Sequence, residues 1–187
     1  MLNLYRLKKA IKYVRENVKP EEFDFSVVHH IRSLEKSRHR KKEKSCGSVG
    51  CFIGHMPGAF PEYVEVELSG GMMGTIVPLD EKLNAEGAVS DWDYIATAQH
   101  LFNFSYLVAG FLFTPEQQPE TIVKEESSFA NWFSEYIGKA TPVVTASPSE
   151  VCDMLDKFVE GYENGAFVLA EYATDEVHDY EIYLKEG

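Results

Sequence analysis

The stretch Ser147-Pro148-Ser149-Glu150-Val151-Cys152-Asp153-Met154-Leu155-Asp156-Lys157-Phe158-Val159-Glu160-Gly161-Tyr162 carries the clearest local signal in the chain. Ser147 offers an N-cap oxygen. Pro148 suits the first helical position, where its missing N–H costs nothing, and Glu150 stands where its carboxylate can reach back to the cap. Val151, Met154, Leu155, Phe158, Val159 and Tyr162 recur at helical spacing and line one face. Asn164-Gly165 supplies the C-terminal stop. A helix with one apolar stripe has to bury that stripe, so the rest of the chain must supply packing partners.

A first partner lies at the other end of the sequence. Leu4, Leu7, Ile11, Val14 and Val18 fall at helical spacing among lysines and arginines, and the pattern stops before Pro20. A second lies mid-chain. Ser90-Asp91-Trp92-Asp93 has the form of a capping box, and a helix is expected through Ile95, Ala96, Ala98, His100 and Leu101. Asn103-Phe104 breaks it, Ser105 caps a second helix through Leu112, and Pro115 ends that one. Trp132, Phe133, Tyr136 and Ile137 form a further short apolar face.

Between the helices the period changes. Tyr63-Val64-Glu65-Val66-Glu67-Leu68 alternates apolar and acidic residues, as a half-buried strand does. Ser69-Gly70-Gly71 reads as its turn and Thr75-Ile76-Val77 as its partner strand. Cys51 to Met56 is expected to form a short helix ended by Pro57-Gly58, and Val27 to Leu34 reads equally as helix or strand. Ala166 to Tyr172 and Tyr180 to Leu184 read as two further strands with a turn near Asp175 and His178. The expectation is a single α+β domain over residues 1–187. It has a core of three to five helices built from residues 3–18, 93–113 and 148–162, with short antiparallel strands at 62–77 and 166–184. A basic loop at 35–45 and a small β excursion at 57–88 complete it.

At 187 residues and 44% hydrophobic content the chain can bury a core without disulfide staples. Its longest apolar run, Leu107 to Phe113, is far short of the roughly 20 residues that cross a bilayer. No membrane partner is expected. Met1 to Val18 lacks the apolar centre of a secretory signal, and an odd number of cysteines fits reduced thiols, so a cytoplasmic location is expected. Net charge is −12, unevenly spread. Residues 1–44 hold 13 Lys+Arg against 6 Asp+Glu, and the remainder holds 5 against 24. The basic excess peaks at Arg32, Lys36, Arg38, Arg40, Lys41, Lys42 and Lys44. The bland reading is a solvated loop that offsets an acidic body; the sharp one is a polyanion-binding segment over 32–44. Nucleic acid is not the expected partner, because the acidic body repels a phosphate backbone.

The segment Ser45-Cys46-Gly47-Ser48-Val49-Gly50-Cys51-Phe52-Ile53-Gly54-His55-Met56 concentrates chemistry-bearing and small residues. Cys46 is a candidate thiol nucleophile, with His55, His100 or His178 as the base. The competing reading makes Cys46 and Cys51 small packed residues in a tight turn. Cys46, Cys51 and His55, with His29 or His30, also suggest a metal site. The four-residue gap and the lack of a second pair argue against structural zinc, and no metal or cofactor is expected. Ala96 to Ala109 imitates a DNA-reading helix-turn-helix. Its second helix, Tyr106 to Phe113, carries no side chain that reads base edges, so a buried αα-hairpin is expected instead. Tyr162, Phe167, Tyr172, Tyr180 and Tyr183 could line a groove, and equally could cover a sheet face.

Phe23-Asp24-Phe25, the Cys46–His55 segment, and Ala98 with Leu101-Phe102-Asn103-Phe104-Ser105 and Leu112-Phe113 occur in an order that resembles a loose group of small uncharacterised phage and bacterial proteins. Their pattern runs FDM, then CGT-x-x-C-x-x-G-[WH], then A-x-x-LGLS-x-x-x-A-x-x-LF. Ser48 stands where the pattern has threonine and Asn103 where it has glycine. The resemblance covers about the first 113 residues. It implies a phage or mobile-element setting, a host cytoplasm and an accessory role such as counter-defence, and it implies no reaction.

Together these readings lead to a non-enzymatic accessory protein that binds a host protein or a small ligand. The site is expected at Cys46, Gly47, Ser48, Cys51 and His55, and homo-oligomerisation is left open. A cysteine-dependent hydrolase or transferase using Cys46 is the first alternative, and polyanion binding through 32–44 the second.

Overall fold

The fold was analysed in a computed structural model that describes residues 2–24, 30–31, 48–68, 74–79, 94–113, 132, 146–167 and 169. Helix α1 spans Leu4–Asn17. Asn3 caps it, its Oδ1 accepting the Arg6 N–H at 3.1 Å, and the backbone turns extended at Val18, ahead of Pro20. Leu7, Ala10, Ile11 and Val14 point into the core. Helix α5, Pro148–Glu163, carries the predicted capping box: the Glu150 N–H donates to Ser147 Oγ at 3.3 Å and the Ser147 N–H to Glu150 Oε2 at 2.7 Å. Hydrogen bonding by both Ser147 groups holds the Glu150 carboxyl below its ordinary range. At the far end Gly165 takes φ +68, and the Gly165 and Ala166 N–H groups donate to the Tyr162 and Gly161 carbonyls. This is the paired closure that a left-handed glycine permits.

Helices α1 and α5 pack along one another. Their apolar stripes meet inside, where the Cys152 thiol donates to the Ile11 carbonyl at 3.6 Å. Charges close the outer edge. Arg15 reaches Asp153 at 2.9 Å and Asp156 at 2.8 Å, and Lys8 pairs with Glu163.

The mid-chain helices are α3, Tyr94–Phe102, and α4, Tyr106–Phe113. (Helix α2 is the single turn Met56–Ala59, described below.) Asn103 divides them at φ +59. Its N–H donates to the Gln99 carbonyl at 2.8 Å. Asparagine is the non-glycine residue that best tolerates this left-handed conformation. Ser105 Oγ then accepts the Val108 N–H at 3.2 Å and caps α4. Ala98, Leu101, Ala109 and Leu112 are wholly enclosed, so the pair is the buried αα-hairpin expected from its apolar composition.

Strands β3, Val64–Leu68, and β4, Gly74–Pro78, pair antiparallel with Val66 opposite Ile76. Val64 and Ile76 are buried while Glu65 faces solvent, as the alternation requires. Thr97 is the buried polar residue among the described ones, and its Oγ1 donates to the Ile76 carbonyl at 3.2 Å, pinning α3 to this hairpin. A second antiparallel pair, β1 (His30–Ile31) with β2 (Ser48–Val49), matches His30 to Val49. The architecture is therefore α+β.

Phenylalanines join the elements. Phe52 stacks on Phe113 at 5.6 Å, Phe104 meets Phe113 at 5.9 Å and Phe158 at 5.6 Å, and Phe102 touches both Phe60 and Phe104. Trp132 lies against Phe167 at 4.5 Å and against Phe158. Gly161 makes room for it: a Cβ there would stand 2.5 Å from the indole.

One element departs from expectation. A 3-10 turn, Ile53–His55, runs directly into α2, and the helix passes through Pro57-Gly58 instead of ending at them. Proline in a first helical turn loses no hydrogen bond, so it starts this helix. Gly58 has its own packing role, since a Cβ there would stand 2.0 Å from the Tyr13 hydroxyl of α1. The expected Ser90–Asp93 capping box, the turn at Ser69-Gly70-Gly71, the basic loop at 35–45 and the strand at 180–184 lie outside the described residues. So does the strand at 166–172 beyond Phe167 and Leu169.

Candidate functional site

The thiol- and glycine-rich segment enters the described structure at Ser48 and is held from both sides by the chain that follows α1. Gly50 pairs with Phe23 in an isolated parallel bridge. The Asp24 N–H donates to the Gly50 carbonyl at 3.1 Å, and the Gly50 N–H to the Glu22 carbonyl at 3.2 Å. His55 then lays its ring nearly parallel to Phe23, centroids 6.2 Å apart, with Nε2 3.0 Å from the same Glu22 carbonyl. A carbonyl only accepts, so Nε2 carries a proton in this contact.

Cys51 is 3% exposed. Burial pushes its thiol up to about 11, although the backbone N–H groups of Gly54 and Ile53 pull the other way. Cys152 is likewise raised to about 11 by burial, opposed by the charge of Arg15. The thiolate is the nucleophile, so both sulfurs are unreactive at neutral pH. Of the predicted site residues, the structure thus brings Cys51 and His55 into one turn, buries the first and ties the second to backbone. Ser48 belongs to the short strand β2, and Cys46, Gly47 and His178 lie outside the described residues.

His100 stands elsewhere. It sits in the last turn of α3, beside the start of α1, whereas Glu22 and His55 follow the end of α1. The two histidines therefore lie near opposite ends of a 14-residue helix, on the order of 20 Å long. His100 borders an open, shallow depression of about 550 Å³ lined by Leu2, Asn3, Leu4, Tyr5, Arg6, His100, Leu101 and Asn103. Its floor is a helix junction. The Asn3 N–H donates to the Phe102 carbonyl at 2.8 Å, and Arg6 Nη1 to the Leu101 carbonyl at 3.3 Å, so the start of α1 satisfies the last carbonyls of α3. The Arg6 guanidinium also covers the Tyr63 ring at 3.9 Å.

This depression had no motif in the sequence. The amphipathic stripe of α1 was the available signal, and it placed Arg6 only on the polar side. The structure also divides the basic N-terminal charge. Lys8, Lys9, Lys12 and Arg15 of α1 each pair with a carboxylate, so that face offers no free basic stripe. Arg32 to Lys44 lie outside the described residues. Among the described residues no three His, Cys, Asp or Glu side chains gather as metal ligands would, and no helix is long and apolar enough to cross a membrane.

No family model, curated protein or solved structure matches this chain.

Proposed function

We propose that this protein works by binding, as a non-enzymatic accessory factor in a cytoplasm, and that its target is a host protein or a small ligand. The carrying observation is the state of Cys51: enclosed, and raised to about 11 by burial. A thiol in that state acts as a small core residue. His55 supports the same reading, because an imidazole pinned between a backbone carbonyl and a phenyl ring serves packing. The resemblance to phage-type proteins points to the same kind of role and adds no chemistry of its own.

A thermal-shift screen of metabolites and candidate host proteins tests the proposal, run in parallel on the native protein and on Cys46→Ser. At least one compound or partner is expected to raise the melting temperature of both. The reading falls if nothing stabilises either protein while the native form, and not Cys46→Ser, hydrolyses a member of an ester and amide panel.

A further inference from the structure

Among the described residues the large apolar side chains left open to solvent are Tyr5 (79% exposed), Tyr63 (36%) and Leu79 (38%). Tyr63 and Leu79 are backbone neighbours, and Arg6 ties Tyr63 to the start of α1, which carries Tyr5. Tyr5 precedes Arg6 in the first turn of α1. Arg6 covers the Tyr63 ring at 3.9 Å, and the Leu79 N–H donates to the Tyr63 carbonyl at 2.9 Å. Single exposed apolar residues are ordinary, whereas a contiguous group beside a depression marks an interaction surface.

Arg6 gives this surface its charge. Among the described residues it forms no ion pair, unlike Lys8, Lys9, Lys12 and Arg15 on the same helix. Glu62, next to Tyr63, is taken by Lys9 at 3.6 Å. The side chains lining the adjoining depression include no carboxylate, although the chain carries 30 Asp+Glu. The Arg6 guanidinium gives one N–H to the Leu101 carbonyl and lies over the Tyr63 ring; a guanidinium has five N–H donors, and a carboxylate is the group that matches its fork.

We propose that Tyr5, Arg6, Tyr63 and Leu79, with the depression beside them, dock a partner protein through a segment that presents a carboxylate next to an apolar side chain. The inference rests on the reading of the molecule as a binder and assigns the face it binds with. A small-molecule site is concave and encloses its ligand; this one is open and suits a segment lying across it. Tyrosine and arginine are also the side chains that most often dominate the energetics of protein interfaces. The chain's net charge of −12 repels a long acidic run or a phosphate chain, so the matching feature is an isolated carboxylate.

The test is selection of a displayed random-peptide library on the full chain. Selected peptides are then measured by fluorescence anisotropy against the native protein, Tyr5→Ser, Arg6→Gln and Lys12→Gln. The consensus is expected to place Asp or Glu beside a large apolar residue. Binding is expected to weaken about tenfold or more in Tyr5→Ser and Arg6→Gln and to hold in Lys12→Gln. Tyr5 is so exposed that Tyr5→Ser leaves the fold intact, and it decides the matter even if Arg6→Gln unfolds.

Four results overturn the proposal: no peptide that separates the native protein from Tyr5→Ser, a purely apolar consensus indifferent to Arg6→Gln, Tyr5-dependent binding of a single-stranded oligonucleotide, or a Tyr5-dependent dimer by sedimentation. Such a failure beside a ligand found by thermal shift removes this face and leaves the binder reading standing. Thiol-dependent hydrolysis removes the binder reading itself.

Discussion

The Nε2 of His55 lies 3.0 Å from the carbonyl oxygen of Glu22, and this contact ties the thiol segment to the end of the first helix. The same carbonyl accepts the Gly50 N–H, so it stays satisfied if the imidazole is removed. His55→Ala then loses this hydrogen bond and the stacking on Phe23, and stability should fall by about 1–2 kcal/mol. Urea denaturation followed by circular dichroism measures it. An unchanged midpoint would free His55 for a role in chemistry.

Gly161 sits in the last turn of α5, where alanine is ordinarily favoured by up to about 1 kcal/mol. Here a Cβ would meet Trp132 at 2.5 Å and Phe167 at 2.9 Å, both of them buried. Overpacking costs of about 1–3 kcal/mol exceed the propensity gain, so Gly161→Ala should lower the melting temperature. Adding Trp132→Phe, which removes the clashing ring edge, should recover part of the loss.

Asn103 holds φ +59 between α3 and α4. Asn103→Ala should cost about 1–2 kcal/mol, since an alanine in the left-handed region bears the full steric penalty. Asn103→Gly should cost less, because glycine takes that backbone freely. Thermal melts of the two variants give the order directly.

Cys51 and Cys152 are both raised from the usual thiol value to about 11. Above pH 9 the unfolded chain releases these protons while the folded chain keeps them. The stability they contribute is present in full below about 9 and is lost as pH rises through about 11. Denaturation midpoints should therefore fall between pH 9 and 11. The fall should lessen in Cys152→Ala once its own shift in baseline stability is subtracted.

The helices were legible because each carries its own stripe and stops: Ser147 and Glu150 for α5, the Leu4-to-Val18 spacing for α1, and Asn103 between α3 and α4. The hairpin was legible because Val64 and Val66 alternate with glutamates in the sequence, and Thr75-Ile76-Val77 follows a glycine-rich turn signal. Pro57-Gly58 misled, since the same proline that ends one helix opens another, and only the preceding 3-10 turn decides between them. The thiol segment was conspicuous by composition, yet nothing local says that Cys51 is enclosed. That follows from Phe52 reaching Phe113 and from Gly50 pairing with Phe23, both contacts between distant positions. Arg6 reaches Tyr63 only once the start of α1 meets the turn that leads into β3, and no window of sequence contains Tyr5, Arg6, Tyr63 and Leu79 together.

The most direct test of the account is the rate at which iodoacetamide modifies each thiol of the native protein at pH 6, read by mass spectrometry of the peptides carrying Cys46, Cys51 and Cys152. Cys51 and Cys152 should stay unmodified until the protein is unfolded, and Cys46 should react no faster than free cysteine. A Cys46 that reacts far faster than free cysteine, and slows on His55→Ala, would contradict the view that this molecule binds its target without transforming it.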